Sequence, residues 1–120
     1  MKKKNFLGDK IQSDRSNWTF KNSNIVNKFE NHISRSIPMY NDVHQLICDL
    51  SLFFLNENSK VLDIGCSTGS LLNQINKINP NKLTKYTGID HSKDMIKFAK
   101  KKYKNRNINF LHKSVKDYKF

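Results

Sequence analysis

One segment in the middle of the chain restricts the fold more than any other. A short apolar run over residues 61–64 leads directly into Gly65, and Gly69 stands just before the apolar pattern of a helix. Glycines between a strand and a helix let the backbone turn tightly and approach a ligand without a Cβ clash. The free N–H groups at the start of the helix point into the same space. The segment therefore predicts a strand, a ligand-facing loop and a helix, although an ordinary strand-to-helix turn is the alternative.

A carboxylate follows in a matching position. The run over residues 86–90 reads as a second strand and ends in Asp90, about one strand–helix–strand unit after Gly65. In parallel sheets ligands bind beyond the carboxyl ends of the strands, where an aspartate can accept hydrogen bonds from both hydroxyls of a ribose. The alternative role for Asp90 is to cap the next helix, which Ser92 would do equally well. We favour ribose binding because the loop and the carboxylate occur in the expected register.

The apolar spacing along the rest of the chain predicts an α/β protein. Pro38 forces a break at or before Ile37, and Asn41 can cap the helix that follows it. Strands and helices that alternate from residue 61 onward indicate parallel pairing. The predicted helices cover residues 23–35, 41–54, 70–78 and 92–103, and the predicted strands cover 61–64, 86–90 and 108–111.

Apolar periodicity also predicts which side chains face inward. The second helix carries the strongest stripe and should pack hard against the sheet. Residues 1–21 are expected to form an extended arm that Trp18 and Phe20 anchor, and the lysines of the last helix should face solvent. The expected inward faces are Ile25, Val26, Phe29 and Ile33; Val43, Leu46, Ile47, Leu50, Phe53 and Phe54; Leu71, Leu72, Ile75 and Ile78; and Met95, Phe98, Ala99 and Tyr103.

Charge and cysteine content restrict partners and compartment. Twenty-two Lys and Arg against ten Asp and Glu give a net charge of +12, which favours polyanions such as RNA and would attract small acids equally well. Lysine and asparagine crowd almost every segment, so direct RNA contact by this chain is the less favoured reading. Cys48 and Cys66 form no CxxC pair, which suits a reducing cytoplasm. No run approaches the ~20 apolar residues of a membrane span, so we expect no membrane contact.

Two motifs resemble a known superfamily. VLDIGCSTGSLL at 61–72 and YTGIDHSKDMIKFAKK at 86–101 resemble motif I and its successor in class I S-adenosylmethionine-dependent methyltransferases. More narrowly, NWTF at 17–20, FENHISRSIPMY at 29–40 and GCS at 65–67 resemble the carboxy-S-adenosyl-L-methionine synthase family. The resemblance covers residues 17 to about 118.

This resemblance implies a fold and an activity. It implies the N-terminal half of a Rossmann-like class I methyltransferase fold over residues 58–120, with an N-terminal arm and helices over 1–57 that cover the cofactor site. That family transfers a carboxyl group from prephenate to the methyl carbon of S-adenosyl-L-methionine, and the product serves in tRNA wobble uridine modification. The complete fold takes roughly twice 120 residues, so the chain is expected to be a partial member.

The resemblance also implies site residues, while no catalytic residue is predicted. Tyr40 would lie at the methionine end of the cofactor, where its ring and the nearby Asp63 suit a sulfonium cation. Two positions depart from the family pattern, since His91 replaces an asparagine and Ser114 replaces the aspartate that contacts adenine. The family's later arginine has no counterpart here. The remaining predicted cofactor-binding residues are Gly65, Cys66, Ser67 and Gly69 in the loop, Asp90 with His91 at the adenosine, and Val115, whose backbone N–H would stay in place.

Two other functions remain open at this point. The first is a methyltransferase that acts on RNA or on a small acid. The second is a non-catalytic interaction module, in which a homodimer or another chain covers an open sheet edge. The four histidines show no metal-ligand spacing, so no metal is expected. Cys66 is expected to act through its size and backbone, with a thiol of lowered pKa as the alternative.

Overall fold

The computed structural model describes residues 6–7, 11–12 and 23–119. Two short strands pair antiparallel near the amino terminus, whereas the expected anchors Trp18 and Phe20 and the 17–20 motif lie outside the described residues. The elements in chain order are β1 (Phe6–Leu7), β2 (Ile11–Gln12), α1 (Ser23–Ser36), α2 (Tyr40–Phe54), β3 (Lys60–Ile64), α3 (Ser70–Ile78), β4 (Lys85–Asp90), α4 (Lys93–Lys102), β5 (Ile108–His112) and a 3-10 turn (Val115–Asp117).

The three longer strands form a parallel sheet in the order β3–β4–β5. Val61 lies opposite Tyr86 and Asp90 lies opposite His112, so the carboxyl ends of the strands share one edge. This confirms the predicted parallel α/β architecture, with strand bounds within one residue of those expected. In this sheet β3 pairs on one side only.

The core lies between α3, α4 and the sheet. Leu72 of α3 and Ala99 of α4 are fully buried, and Phe110 of β5 packs into the same cluster. The hydroxyl of Tyr86 donates a 2.7 Å hydrogen bond to the carbonyl of Asn79, which fixes the end of α3 against β4. The inward prediction for Ile78 is wrong, because this residue is the last of α3 and is 41% exposed, where no described element covers it.

Helix α1 packs across α4. Its buried Val26 and Phe29 contact Met95, with the partly buried Ile33 and Phe98 beside them. The helix ends at Ser36, as Pro38 predicts. Helix α1 lies beside the loop that follows β3, since Glu30 accepts a hydrogen bond from the Thr68 hydroxyl. Among the described helices, none combines the length and the apolar character of a membrane span.

Helix α2 corrects two predictions. It begins at Tyr40, because the carbonyl of Met39 accepts a hydrogen bond from the Val43 N–H, so Asn41 lies inside the first turn and does not cap the helix. The apolar stripe expected against the sheet is exposed, with Phe53 at 85%. Helix α2 packs instead on α3 and α1, and the sheet stops at β3, so no described strand lies under the stripe. The exposed stripe residues are Val43, Leu46, Ile47, Leu50, Phe53 and Phe54.

Candidate functional site

Backbone hydrogen bonds fasten the loop after β3 to the end of β4. The N–H groups of Gly65 and Cys66 both donate to the carbonyl of Ile89, at 2.8 and 3.0 Å. The Ser67 N–H donates to Oδ2 of Asp90 at 2.9 Å. The loop and the carboxylate that the sequence pairs therefore meet at one edge of the sheet, held together by three backbone amides.

The loop has a tightly curled backbone. Gly65, Ser67 and Gly69 have φ values of +75°, +48° and +77°, in the left-handed region that costs a residue with a Cβ about 1–2 kcal/mol. A Cβ on Gly69 would come within 2.6 Å of the Phe110 ring, so only glycine fits there. A Cβ on Gly65 would meet no protein atom within 4 Å, because this position opens onto a cavity. Gly69 therefore shapes the loop, and Gly65 leaves space for a ligand.

Asp90 lies at the centre of this arrangement and is only 7% exposed. Its Oδ1 accepts a 2.7 Å hydrogen bond from the Ser92 N–H. Ser92 caps α4, because its hydroxyl accepts from the Met95 N–H, so the capping role considered for Asp90 falls to Ser92. Each carboxylate oxygen can accept a second hydrogen bond. Asp90 can therefore bind the hydroxyls of a ligand while it holds the loop.

Two cavities meet at Gly65. The first, of about 190 Å³, is lined by Ile64, Gly65, Ile89, Asp90, His91, Lys113, Ser114 and Val115. The second, of about 210 Å³, is lined by Phe29, Ile33, Tyr40, His44, Asp63, Gly65, Cys66, Ser67, Thr68, Ser70 and Leu71. Because Gly65 lines both, an elongated ligand that crosses this residue can place one end in each cavity.

The first cavity has polar walls at its far end. The His91 side chain is 73% exposed, with Nδ1 3.6 Å from Oδ1 of Asp90. Ser114 precedes the 3-10 turn, and its hydroxyl accepts from the Lys116 N–H at 3.4 Å. His91, Ser114 and Val115 thus line the same cavity as Asp90.

The second cavity has an electrostatic preference for a cation. Asp63 is half-buried, and no described residue donates a hydrogen bond to its carboxylate. Burial raises the pKa of Asp63, and the negative charge of Asp90 raises it further. A carboxylate in this position is stabilised by a positive charge in the cavity. The Tyr40 ring lines the same space, and its pKa is raised by burial and by the charges of Glu30 and Asp63, so the phenol stays neutral.

Cys66 is a buried thiol with a raised pKa. Burial, followed by the charges of Asp63 and Asp90, raises the pKa of Cys66 to about 12. The alternative of a reactive thiol with a lowered pKa is therefore wrong. The sulfur instead packs against β4, where a Cβ on Gly88 would lie 2.8 Å from it.

The structure adds residues that sequence reasoning missed. Phe29 and Ile33 of α1 line the second cavity, although their spacing predicted only an inward face. His44 lies one helical turn after Tyr40, with ring centroids 4.2 Å apart, and this i,i+4 spacing was the available signal. Burial lowers the pKa of His44, which keeps its ring neutral. Within the described ranges, no three His, Cys, Asp or Glu side chains come together to hold a metal.

The chain is similar to methyltransferases and to one named group of transferases. A family model described as a methyltransferase domain matches residues 55–119. Carboxy-S-adenosyl-L-methionine synthase of Staphylococcus epidermidis is 37% identical over 103 residues, which are 86% of this chain and 45% of that protein. The protein of the same name from Campylobacter fetus is 38% identical over 87 residues, 72% of this chain and 35% of that protein.

Solved structures agree with this similarity. The plantazolicin methyltransferase in complex with SAH superimposes with a TM-score of 0.59 and 28% identity, over 83% of this chain and 38% of that one. A second structure of that methyltransferase, with a triazolic desmethylPZN analog and SAH, gives a TM-score of 0.57 at 25% identity, over 84% of this chain and 41% of that one. The chain spans less than half the length of each of these relatives.

Proposed function

We propose that this chain, which belongs to the methyltransferase domain family, binds S-adenosyl-L-methionine and contributes this site to a transferase reaction. The observation that carries the proposal is that the loop after β3 is hydrogen-bonded to Asp90 and to the end of β4 at the point where two cavities join. This ligand has a nucleoside at one end and an amino acid at the other. Its two ends match the polar first cavity and the cation-favouring second cavity.

Each end of the ligand has a group to meet it. The ribose hydroxyls would donate to Asp90, and the adenine would lie beside His91, Ser114 and the backbone N–H of Val115. The methionine end would lie between Tyr40 and Asp63, where the carboxylate and the ring face stabilise positive charge. When bound, the sulfonium supplies an activated one-carbon group. The residues of this chain would bind and orient it, with the helices of residues 1–57 as a cover.

Calorimetry tests the proposal directly. Asp90→Ala should lose about 1.5–3 kcal/mol of binding free energy, the scale of hydrogen bonds to a charged group. Asp49→Asn is the matched control, because this exposed carboxylate on α2 lies outside both cavities. No heat from the wild-type chain at millimolar S-adenosyl-L-methionine or S-adenosylhomocysteine would contradict the proposal.

The finer proposal is a carboxy-S-adenosyl-L-methionine synthase-type activity. The reaction would transfer a carboxyl group from prephenate to the methyl carbon of S-adenosyl-L-methionine, with release of phenylpyruvate and of water that takes up the displaced proton. The product would serve in tRNA wobble uridine modification in the cytoplasm. Its support is the 37% identity to the staphylococcal synthase over 86% of this chain and a net charge of +12 that attracts an acidic substrate. Incubation with prephenate should add one carboxyl group to the mass of the ligand.

The alternative is a methyltransferase that acts on RNA or on a small acid. The same positive charge favours it, and so does the similarity to the plantazolicin methyltransferase. Prephenate would then leave the mass of the ligand unchanged, whereas an acceptor would gain a methyl group. Direct tRNA contact is the less favoured form of this activity, because the positive charge is spread over the whole chain.

We also propose that a further polypeptide covers the free edge of β3. In the described sheet this strand pairs with β4 only. Helix α2, which packs on α3 and α1, also leaves an apolar stripe exposed. The occupant we propose is a segment equivalent to the remainder of the longer relatives, because a second copy would bring two chains of charge +12 together. Light scattering should show a monomer that binds the C-terminal part of the staphylococcal relative. A stable homodimer would identify the second copy as the occupant.

A further inference from the structure

A single carboxylate joins three separate parts of the chain. Oε1 of Glu30, on α1, accepts a 2.8 Å hydrogen bond from the Thr68 hydroxyl in the loop after β3. The ammonium group of Lys102, at the end of α4, donates to both carboxylate oxygens at 2.9 and 2.7 Å. Glu30 lies within the 29–40 motif, but no role was predicted for it, and its partners Thr68 and Lys102 are 38 and 72 residues away along the chain.

The helix that Glu30 fastens is one wall of the second cavity. Phe29 and Ile33 line that cavity together with Tyr40, so Glu30 stands within the wall-forming stretch of α1. Among the side chains that the structure describes, the buried apolar contact of α1 centres on Val26, Phe29 and Met95, with the partly buried Ile33 and Phe98 beside them. Polar links add to a contact of this kind and help to hold the helix in place.

Both partners of Glu30 are themselves held in position. Thr68 is only 2% exposed, so its hydroxyl needs the acceptor that Glu30 provides. The Lys102 ammonium lies 5.5 Å from the Phe98 ring centroid and 5.4 Å from that of Tyr103. Burial alone would lower the pKa of Lys102, but the hydrogen bond and charge of Glu30 outweigh it and raise the pKa. Lys102 therefore stays charged, and the link persists at neutral pH.

We infer that Glu30 is a positioning residue for ligand binding. Its carboxylate holds α1 against the loop of residues 66–69 and so slows escape of the ligand from the cavity that Tyr40 and Asp63 line. This rests on the proposed function for the identity of the ligand. The fastening of α1 itself is a property of the ligand-free chain and can be measured without any ligand.

The test compares four variants by two measurements. Surface plasmon resonance gives the dissociation rate of S-adenosylhomocysteine, and hydrogen exchange gives the opening of amides 23–36 in the ligand-free chain. Glu30→Gln and Lys102→Met should each raise the dissociation rate about 3- to 10-fold, the range for a charged link that is more than a third exposed. Amide exchange should quicken in the same variants. The double variant Glu30→Lys with Lys102→Glu should recover part of both values, because it restores the ion pair but leaves the Thr68 hydroxyl without its acceptor. Glu57→Gln, on an exposed turn, should change neither value.

Each contrary result removes a different part of the inference. A lower melting temperature with an unchanged dissociation rate would show that Glu30 only stabilises the fold. Unchanged exchange over residues 23–36 would show that the link does not fasten α1, and no recovery at all in the charge-reversed double variant would show that the ion pair does not contribute to it. If the wild-type chain gives no signal with S-adenosylhomocysteine, the proposed function fails and the ligand role of Glu30 fails with it. The exchange data would still decide whether Glu30 holds the helix.

Discussion

Replacing Asp63 with asparagine should weaken binding of S-adenosyl-L-methionine and at the same time stabilise the ligand-free chain. Burial and the nearby charge of Asp90 raise the pKa of Asp63, so its charged form is disfavoured in the folded chain. A carboxyl group whose folded pKa is raised costs stability above that pKa, and the cost disappears as the pH falls through it. Asparagine keeps the shape and removes the charge, so the free energy of unfolding at neutral pH should rise.

The loss of binding follows from the attraction between Asp63 and the ligand cation. Two unit charges about 5 Å apart attract by about 3 kcal/mol at an effective dielectric constant of ~20, and salt reduces this. A loss of about 2–3 kcal/mol is a 30- to 150-fold weaker affinity. The uncharged sulfur of S-adenosylhomocysteine provides a second comparison, because its affinity should fall less if Asp63 faces the sulfonium.

Calorimetry over a range of pH measures the affinity for S-adenosyl-L-methionine, and thermal unfolding measures the stability of the ligand-free chain. For the wild-type chain, affinity should fall as the pH drops through the raised pKa of Asp63, because protonation removes the attraction. In the same pH range the asparagine variant should bind independently of pH, and Asp49→Asn should behave as the wild type. Equal affinity of Asp63→Asn and wild type, or a lower melting temperature for the variant, would refute the cation preference of this cavity.

Three further predictions concern the loop and its packing. Gly65→Ala should cost only about 1–2 kcal/mol of stability for its left-handed φ. It should nevertheless abolish binding measured by calorimetry, because its Cβ would enter the open space shared by both cavities. Retained binding would contradict that placement of the ligand. Gly88→Ala should lower the free energy of unfolding by about 1–3 kcal/mol, measured by urea denaturation, because its Cβ would meet the Cys66 sulfur at 2.8 Å and the Phe110 ring at 3.0 Å. Native protein should react with DTNB at neither Cys66 nor Cys48, since both are buried and their pKa values are raised, and should react at both after denaturation; fast native labelling of Cys66 would contradict its raised pKa.

Local patterns in the sequence determined the elements and the centre of the site. The 3.6-residue spacing set α1, α3 and α4, and the apolar runs set the parallel strands, because both follow from which side chains must leave water. Once the strands are parallel and adjacent, the ends of β3 and β4 must share one edge. Gly65 and Asp90 could therefore be brought together without knowledge of any contact.

The tertiary structure alone decided what depends on neighbours distant in sequence. The apolar stripe of α2 predicted burial, but burial also requires a surface to cover it, and the described sheet stops at β3. The pKa of Cys66 is set by how deeply the loop is buried and by two carboxylates from different strands. The ion pair between Glu30 and Lys102 spans 72 residues, and no local periodicity encodes such a pair. Periodicity indicates only on which side of its own helix or strand a residue lies. Its charge state, its exposure and whether an apolar face is covered depend on the elements packed around it.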